Sequence, residues 1–398
     1  MINKYMTIVL AALLLVACQP SKQYTVTGHI GGNADGKTVY LYDYYPPVLI
    51  DSTVISNGIF TFKGEMDTPV RRRILIDNNP EGFDGDKNRG MLTALFYMEN
   101  SKIDISTHID SMQPYYYNPK QKVSKPLIKG SKSEDLYQRY QASTNDLRKE
   151  YARLDGEYLQ TYHIPALDGV FNTEEGIAIT RKINAVSEEM EKAKWNFIKE
   201  NASTMVAYDM ALNYFRGMFV ELTSAQIDEL LAIMEPAWKG TPQYDELKKL
   251  AEEARPIAVG SKYIDVELQN RAGETVKLSD FIAEGKYTML DFWASWCGPC
   301  RGEIPHLKEV YKEYGDKSFE IVSISLDEKQ AAWEKAMDDE QMTWPQLVDL
   351  KGFEGSAATT YKVLGIPYCI LLNPKGEIIK VNVRGAQLNA ALEDRVEL

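Results

Sequence analysis

The spacing of apolar and polar residues changes twice along the chain and divides it into three parts. From residue 24 to 130, apolar residues alternate with polar ones, which is typical of strands with one buried face. Residues 24–30, 38–42, 71–76 and 102–106 are rich in β-branched and aromatic side chains and are predicted strands. Their short length and the turn residues between them predict a β-sandwich-like domain.

The pair Asn57-Gly58 lies between two further predicted strands, residues 51–55 and 59–62. Both residues readily adopt the positive φ that a type I′ turn requires, so we expect a β-hairpin here. Residues 78–90 are rich in Asn, Asp and Gly and form a predicted surface loop. We identify no catalytic constellation in this part of the chain.

From residue 131 to 255, the apolar residues recur at helical spacing. Residues 136–162 and 177–198 carry spaced apolar and aromatic residues among charged ones and are predicted helices. Thr-Ser-Ala-Gln at 223–226 is typical of a capping box, and Thr-Pro at 241–242 is typical of a helix start. This part is a predicted helical domain that serves as a spacer or in interactions.

Residues 256–398 form the third part and contain the candidate chemistry. Residues 287–296 are an apolar run with the length of a buried strand. The run is followed by Cys297-Gly-Pro-Cys300 and then by a predicted helix over residues 301–314. Two cysteines therefore lie where a strand is expected to pass into a helix.

The N-terminus has the features of a bacterial lipoprotein signal. Residues 1–17 contain an early Lys and an apolar run too short to span a membrane, which predicts a signal peptide. Small residues precede Cys18, as in a lipobox, so we expect this cysteine to be lipidated and residues 18–23 to act as a tether. The alternative is an ordinary signal peptide with an incidental cysteine. The expected location is a bacterial membrane surface facing the periplasm, with inner or outer membrane left open.

Composition and charge exclude several classes of function. The formal net charge of −12 argues against nucleic-acid binding, which needs Lys and Arg to neutralise phosphates. Four cysteines in 398 residues do not make a disulfide-stapled scaffold. No Cys/His cluster has zinc spacing, so we expect no metal site. No Rossmann glycine motif is present, so no nicotinamide or flavin cofactor is expected.

The Cys-x-x-Cys spacing at a helix start is suited to disulfide exchange. The helix N-terminus would lower the pKa of Cys297, which we expect to be the exposed nucleophile. Cys300, one turn deeper and shielded, would resolve the mixed disulfide. The alternative is half of a zinc site, but Cys18 and Cys369 do not supply a second half at suitable spacing. Cys369 lies in an apolar strand and is an expected buried, inert thiol.

The sequence Asp-Phe-Trp-Ala-Ser-Trp-Cys-Gly-Pro-Cys-Arg at 291–301 resembles the active site of thioredoxin-fold proteins. The wider stretch 279–305 resembles the TlpA/ResA-type membrane-tethered thiol–disulfide oxidoreductases. Residues 365–380 resemble the cis-proline strand and hairpin of this family, and residues 327–350 resemble its extra helical insertion. The resemblance implies an α/β thioredoxin-like fold over residues 256–398, with a central mixed sheet and flanking helices.

The same resemblance implies a substrate-binding surface beside the cysteines. Pro367 should be cis and lie against Cys297, and Ile366 would offer backbone groups to an extended substrate. Trp296 would form an apolar rim beside the thiol; the alternative is a merely packed tryptophan.

Two acids are candidate proton carriers. Asp291 occupies the position where thioredoxins place a buried acid, whose raised pKa would let it take the proton from Cys300; the alternative is a strand-end Asp facing water. Glu303 matches an active-site acid of the ResA branch; the alternative is an ordinary acid that favours the helix dipole. In ResA the position of Asp291 is usually an amide, so which acid handles the proton stays open. His306 is expected at the surface of the helix.

These features predict a protein-disulfide reductase, because the Gly-Pro between the cysteines resembles the reducing members. Its expected partners are protein disulfide clients, a membrane thiol carrier that donates electrons, and the lipid bilayer. Cytochrome c maturation is a client process implied by the family alone. Residues 24–130 resemble a β-rich domain of unassigned function that precedes thioredoxin-like modules in bacterial lipoproteins. Two alternatives stay open: a scaffold lipoprotein whose redox module serves one bound partner, and a thiol peroxidase.

Overall fold

The computed structural model describes residues 23–395 apart from 81, 83, 117, 119, 120, 218, 316 and 317. The predicted signal peptide and the predicted lipidation site Cys18 lie outside these residues. Within the described part of the chain, no helix is both long and apolar enough to cross a membrane. The chain divides into two compact units, with the boundary between Arg139 and Tyr140.

Short β-strands dominate the first unit. They are β1 (Tyr24–Gly31), β2 (Thr38–Asp43), β3 (Leu49–Val54), β4 (Ile59–Gly64), β5 (Val70–Asp77), β6 (Met91–Met98), β7 (Lys102–His108), β8 (Gln113–Pro114) and β9 (Leu127–Lys129). They form two sheets, ordered β4-β1-β7-β9 and β3-β2-β5-β6-β8. Val26 and Phe62 of one sheet share a core with Leu41 and Ile74 of the other. The predicted β-rich, sandwich-like domain is confirmed.

The predicted turn at Asn57 and Gly58 is present, but the hairpin around it is not. The two residues have φ of 52° and 71°, and Ser56 and Ile59 exchange backbone hydrogen bonds across the turn. The pairing extends no further, because β3 pairs with β2 in one sheet and β4 pairs with β1 in the other. The turn therefore carries the chain from one sheet to the other.

The middle of the chain is helical, as predicted. Its helices are α1 (Lys132–Ser143), α2 (Asn145–Tyr158), α3 (Ile164–Leu167), α4 (Thr173–Glu200), α5 (Met205–Arg216), α6 (Ser224–Trp238) and α7 (Pro242–Ala254). The single helix predicted over 136–162 is interrupted at Thr144, whose hydroxyl donates a hydrogen bond to the Tyr140 carbonyl oxygen. The capping box at Thr223 and the N-cap at Thr241 are both present.

The last part of the chain is a mixed α/β domain. Its elements are β10 (Glu267–Gln269), β11 (Thr275–Lys277), β12 (Tyr287–Trp293), α8 (Gly298–Tyr314), β13 (Phe319–Ser325), α9 (Gln330–Glu340), β14 (Gln346–Val348), α10 (Ser356–Thr360), β15 (Tyr368–Leu372), β16 (Ile378–Val381) and α11 (Ala386–Glu393). The sheet order is β11-β10-β14-β13-β12-β15-β16. β12 is parallel to β13 and antiparallel to β15. Apolar clusters cover both faces of the sheet, which explains why β12 is almost continuously apolar.

This architecture is the predicted thioredoxin-like fold. The interval 327–350 contains a helix, α9, as expected, and also the strand β14, which the sequence interpretation missed. β14 pairs with β13 and with β10, so it joins the short β10–β11 hairpin to the central sheet. Residues 365–380 contain the expected antiparallel pair, β15 and β16.

Residues 140–255, called the helical segment below, pack against the thioredoxin-like part within the second unit. Gly176 of α4 approaches α11 so closely that an added Cβ would lie 2.6 Å from the Ala386 Cβ. Phe219 stacks on Tyr368, the first residue of β15, with ring centroids 5.4 Å apart. The helical segment therefore contributes side chains to the surroundings of the central sheet.

Candidate redox site

Cys297 and Cys300 form a disulfide at the start of α8. Their sulfur atoms are 1.94 Å apart and their Cα atoms 5.3 Å apart. Cys297 is the N-cap residue of α8, and its Sγ accepts a hydrogen bond from the Cys300 backbone N–H at 3.2 Å. The unpaired N–H groups of the helix N-terminus therefore lie next to the first sulfur, as the sequence predicts.

The exposure of the two cysteines differs from the expectation. The sequence predicts an exposed Cys297 and a shielded Cys300, but in the disulfide their relative exposures are 5% and 4%. Both residues lie in the same apolar cluster, which also contains Trp293 and Ile304. In this oxidised form, burial does not distinguish the two sulfurs, and only their positions relative to the helix do.

Asp291 is a buried carboxyl in the centre of β12. Asp291 is 7% exposed, and its Oδ2 accepts a hydrogen bond from the Ser323 hydroxyl at 2.8 Å. The Ser323 oxygen in turn accepts one from the Trp344 indole N–H at 2.8 Å. Burial raises the pKa of Asp291 to about 7; the charge of Glu303 acts in the same direction, whereas the Ser323 bond and the charge of Arg384 oppose it.

Glu303 lies on α8, and its carboxylate has more hydrogen-bond donors than that of Asp291. Its side chain is 18% exposed, and its Oε1 accepts from the Gly385 backbone N–H at 2.7 Å and contacts His306 Nδ1 at 3.0 Å. Burial alone would raise the pKa of Glu303. The bond and charge of His306, the Gly385 bond and the charge of Arg384 outweigh burial, so the pKa lies below its ordinary value.

The expectation that His306 lies at the surface is wrong. The residue is 4% exposed, because the side chain points inward from α8 between Glu303 and Asn389. Its Nε2 lies 2.8 Å from the Asn389 Oδ1, and the rings of Tyr162 and Phe171 pack against the imidazole. Both ring nitrogens therefore face oxygen atoms, one of Glu303 and one of Asn389.

The surface beside the disulfide is apolar and exposed. Trp296 is 60% exposed, and its ring lies 6.4 Å from that of Phe353, which is 42% exposed and was not predicted. Ile366 is partly buried against the apolar cluster that contains both cysteines. The Ile366–Pro367 peptide bond is cis, the geometry that the resemblance implies.

Cys369 is a free, buried cysteine of β15. It is the register partner of Asp291, and it lies in the same apolar cluster as the disulfide. Its thiol donates a hydrogen bond to the Val383 carbonyl oxygen at 3.0 Å, and burial raises its pKa far above the ordinary value. These contacts fit the expected inert thiol.

Four residues of this region escaped the sequence interpretation: Tyr162, Phe171, Phe353 and Asn389. They lie more than thirty positions from the cysteines along the chain, so no local pattern connects them to the motif. Of the four, only Asn389 could have been suspected from the sequence, because it is a polar residue inside the apolar stretch of α11. It is buried there. Among the described residues, no cluster of His, Cys, Asp or Glu could hold a metal ion.

Two family descriptions match separate parts of the chain. Residues 259–381 match the AhpC/TSA family, and residues 24–137 match DUF4369, a domain of unknown function. The first match covers most of the thioredoxin-like part, and the second covers nearly all described residues of the first compact unit.

Curated relatives and solved structures match the thioredoxin-like part. The chain is 34% identical over 144 residues to thiol-disulfide oxidoreductase ResA of Oceanobacillus iheyensis, which covers 35% of this chain and 72% of the relative. It is 32% identical over 171 residues to the thioredoxin-like protein YneN of Bacillus subtilis, covering 42% and 95% of the two chains. The thioredoxin domain of a thiol-disulfide oxidoreductase from Bacteroides vulgatus is 33% identical, with 35% and 99% coverage and a TM-score of 0.33. The two curated relatives show that the chain belongs to the family of ResA-type thiol–disulfide oxidoreductases, as an enzyme with a C-terminal thioredoxin-like domain.

Proposed function

We propose that this oxidoreductase reduces disulfide bonds of client proteins outside the cytoplasm while a lipid on Cys18 holds it at a bacterial membrane. The observation that carries the proposal is the Cys297–Cys300 pair at the N-terminus of α8, with the buried acid Asp291 in the adjacent strand. The reducing direction is supported by the Gly-Pro dipeptide between the cysteines, and the periplasm-facing location by the apolar run and small residues before Cys18.

In the proposed cycle, the enzyme begins in its reduced form. The Cys297 thiolate attacks one sulfur of a client disulfide, and the other client sulfur leaves as a thiolate that takes a proton from water. Cys300 then gives up its proton and attacks the Cys297 sulfur, which leaves the Cys297–Cys300 disulfide and releases the second client sulfur as a thiolate, also protonated by water. Two electrons have passed to the client. A membrane thiol carrier restores the dithiol by the reverse exchange.

Asp291 is the proposed acceptor of the Cys300 proton. A carboxyl with a pKa of about 7 is partly ionised at neutral pH, so it can take a proton and return it in the next turnover. Glu303 has a lowered pKa and stays ionised, so we assign it an electrostatic role rather than proton transfer. Its fixed charge helps to keep Asp291 in the range where a base is effective.

The proposed client-binding surface surrounds the disulfide. Trp296 and Phe353 supply exposed aromatic area for an apolar client side chain. Ile366, before the cis-Pro367 bond, would pair its backbone with an extended client segment. Such contacts hold a client long enough for exchange without demanding one sequence.

The order of attack can be tested by trapping. In Cys300→Ser the first exchange proceeds, but no second thiol resolves the mixed disulfide, so a client stays bound through Cys297. Non-reducing gels and mass spectrometry of the adduct would then name the client. Cys297→Ser is the matched variant and should trap little. Equal trapping by both variants, or adducts through Cys369, would contradict the proposal.

The direction and the anchor need separate measurements. Equilibration of the Cys297–Cys300 couple with glutathione should give a reducing potential, and a strongly oxidising one would contradict the reductase role. Cys18→Ala should release the protein from membranes at high salt or alkaline pH, because the variant lacks the cysteine that would carry the lipid. Continued fractionation of this variant with membranes would exclude the lipid anchor.

A further inference from the structure

The imidazole of the Glu303–His306 pair is contacted by residues from three separate stretches of the chain. Asn389 of α11 contacts His306 Nε2 at 2.8 Å. The ring of Tyr162 meets the imidazole edge-on with centroids 6.0 Å apart, and that of Phe171 lies 6.2 Å away. His306 is 4% exposed and Tyr162 is 1% exposed, so the helical segment shields the imidazole from water on this side.

The backbone turn before α11 connects the Glu303 carboxylate with the helical segment. The Gly385 N–H donates to Glu303, and the next N–H, that of Ala386, donates to the Tyr158 hydroxyl oxygen at 3.1 Å. Gly385 has a φ of +55°, and a Cβ there would lie 2.5 Å from the Tyr158 hydroxyl oxygen and 3.1 Å from the Tyr162 ring. The close approach of the helical segment therefore depends on glycine at this turn.

Several charged or titratable groups contact the carboxylate of Glu303 or interact electrostatically with it. They are Asp291 of β12, His306 of α8, Cys369 of β15, Arg384 of the β16–α11 turn, and Tyr158 and Tyr162 of the helical segment. Charges interact strongly only where water is excluded. The reach of the Glu303 charge toward Asp291 therefore depends on what covers it.

We propose that the helical segment is a working part of the redox centre and that Tyr162 is its positioning residue, which keeps water from the Glu303–His306 pair. The proposal rests on the proposed thiol exchange. It assigns the helical segment a role in setting the pH range over which Asp291 accepts a proton. Removal of the Tyr162 ring would admit water, screen Glu303 from Asp291 and move the pH dependence of exchange to lower pH.

The spectroscopic test follows the imidazole N–H protons of His306 by NMR of the full chain labelled at histidine. An N–H shielded from water exchanges slowly and gives a signal, whereas an exposed one is lost by exchange. We expect the signal in the parent protein and in Tyr162→Phe, which keeps the ring and removes a buried hydroxyl without a hydrogen-bond partner among the described residues. We expect its loss in Tyr162→Ala.

The matched control is Tyr208→Ala. Tyr208 of α5 is also buried in the helical segment, but it packs on Trp238 and donates to Glu246 rather than touching the redox site. The His306 signal should persist in this variant. Phe171→Ala is a second test if Tyr162→Ala does not fold, because Phe171 is only partly buried and contacts His306 from the same segment. Retention of the signal in both Tyr162→Ala and Phe171→Ala, or its loss in Tyr208→Ala, would overturn the proposal.

The kinetic test measures the pH midpoint of Cys300 attack on a preformed Cys297 mixed disulfide. Tyr162→Ala should shift the midpoint to lower pH, whereas Tyr162→Phe and Tyr208→Ala should leave it unchanged. An unchanged midpoint in Tyr162→Ala would also overturn the proposal. The NMR signal needs no client, so an enzyme that fails to reduce protein disulfides but keeps the expected signal pattern would refute only the proposed function.

Discussion

Asp291 lies on the strand before the disulfide and Glu303 on the helix that begins at it, and the surroundings of these two carboxyls change their pKa values in opposite directions. The region around Asp291 is the interior of the sheet, where one hydroxyl, that of Ser323, donates to the carboxyl. The region around Glu303 lies between α8 and α11, where a backbone N–H and an imidazole both contact one carboxylate oxygen. Burial raises the first pKa to about 7, whereas donors and positive charge lower the second.

The comparison shows that burial by itself does not make a proton carrier. A buried carboxyl with enough donors remains ionised and acts as a fixed charge, whereas one with few donors holds its proton to higher pH. The enzyme has one of each. Their separation by protein rather than water lets the fixed charge of Glu303 influence Asp291.

The largest expected effect is on the free energy of unfolding when either acid is replaced by its amide. A pKa of Asp291 raised from 3.8 to about 7 means that the folded protein holds a proton that the unfolded chain has released. The unfolding free energy therefore falls as pH rises from about 4 to 7, by up to about 4 kcal/mol. Asp291→Asn should be more stable than the parent at pH 8 by up to this amount.

Glu303→Gln should have the opposite sign. Its pKa is lowered in the folded protein, so the ionised carboxylate contributes stability above the ordinary value of 4.5, and that contribution is lost as pH falls below it. Loss of the charge that His306 and Gly385 contact should destabilise the protein by about 2 kcal/mol at pH 8. Denaturant unfolding of both variants at pH 8 and pH 4 measures these changes in the free energy of unfolding. If both variants were stabilised, or both destabilised, at pH 8, the contrast between the two acids would be wrong.

The next effect is on the rate at which Cys300 resolves a mixed disulfide. If Asp291 accepts the proton, the parent rate should rise with pH through about 7, the pKa of Asp291. Asp291→Asn should lose this inflection and be slower by about a hundredfold at pH 7.5, a typical contribution of a general base. Single-turnover release of a client peptide from Cys297 measures the rate. If the pH–rate profile kept its inflection in Asp291→Asn and lost it in Glu303→Gln, the proton acceptor would be Glu303 instead.

The smallest effect concerns client binding at the exposed aromatic pair, which lies outside both acid regions. Trp296→Ala and Phe353→Ala should each raise the KM for a protein client by about fivefold, equivalent to about 1 kcal/mol of binding energy. Reduction of a small soluble disulfide should be unchanged. Leu127→Ala, an equally exposed apolar residue of the first unit, is the matched control. Equal losses with the small disulfide would place the two aromatic residues in the chemistry instead.

Local patterns were sufficient for the parts of the site that are contiguous along the chain. The apolar run of β12 and the helix start at Cys297 are encoded within a few residues, so the strand, the motif and the position of Asp291 could be predicted. Period-two alternation likewise predicted the strands of the first unit.

Long-range pairing could not be predicted in the same way. The turn at Asn57 has the predicted backbone, but which sheet each flanking strand joins depends on its pairing with β1 or β2, which lie outside the local turn sequence. His306 has the sequence environment of a surface helix residue, and it is buried because Tyr162 and Asn389 cover it from segments more than eighty positions away. The protonation contrast of the two acids also depends on contacts that are distant along the chain, those of Ser323 with Asp291 and of Gly385 with Glu303.

The most direct test of this account is a carboxyl-carbon NMR titration of the oxidised full-length protein, with Asp291→Asn and Glu303→Gln used to assign the two signals. The account predicts that Asp291 titrates at about pH 7 and that Glu303 remains ionised to below its ordinary pKa of 4.5. Titration of Glu303 near neutral pH, with Asp291 ionised throughout, would contradict it.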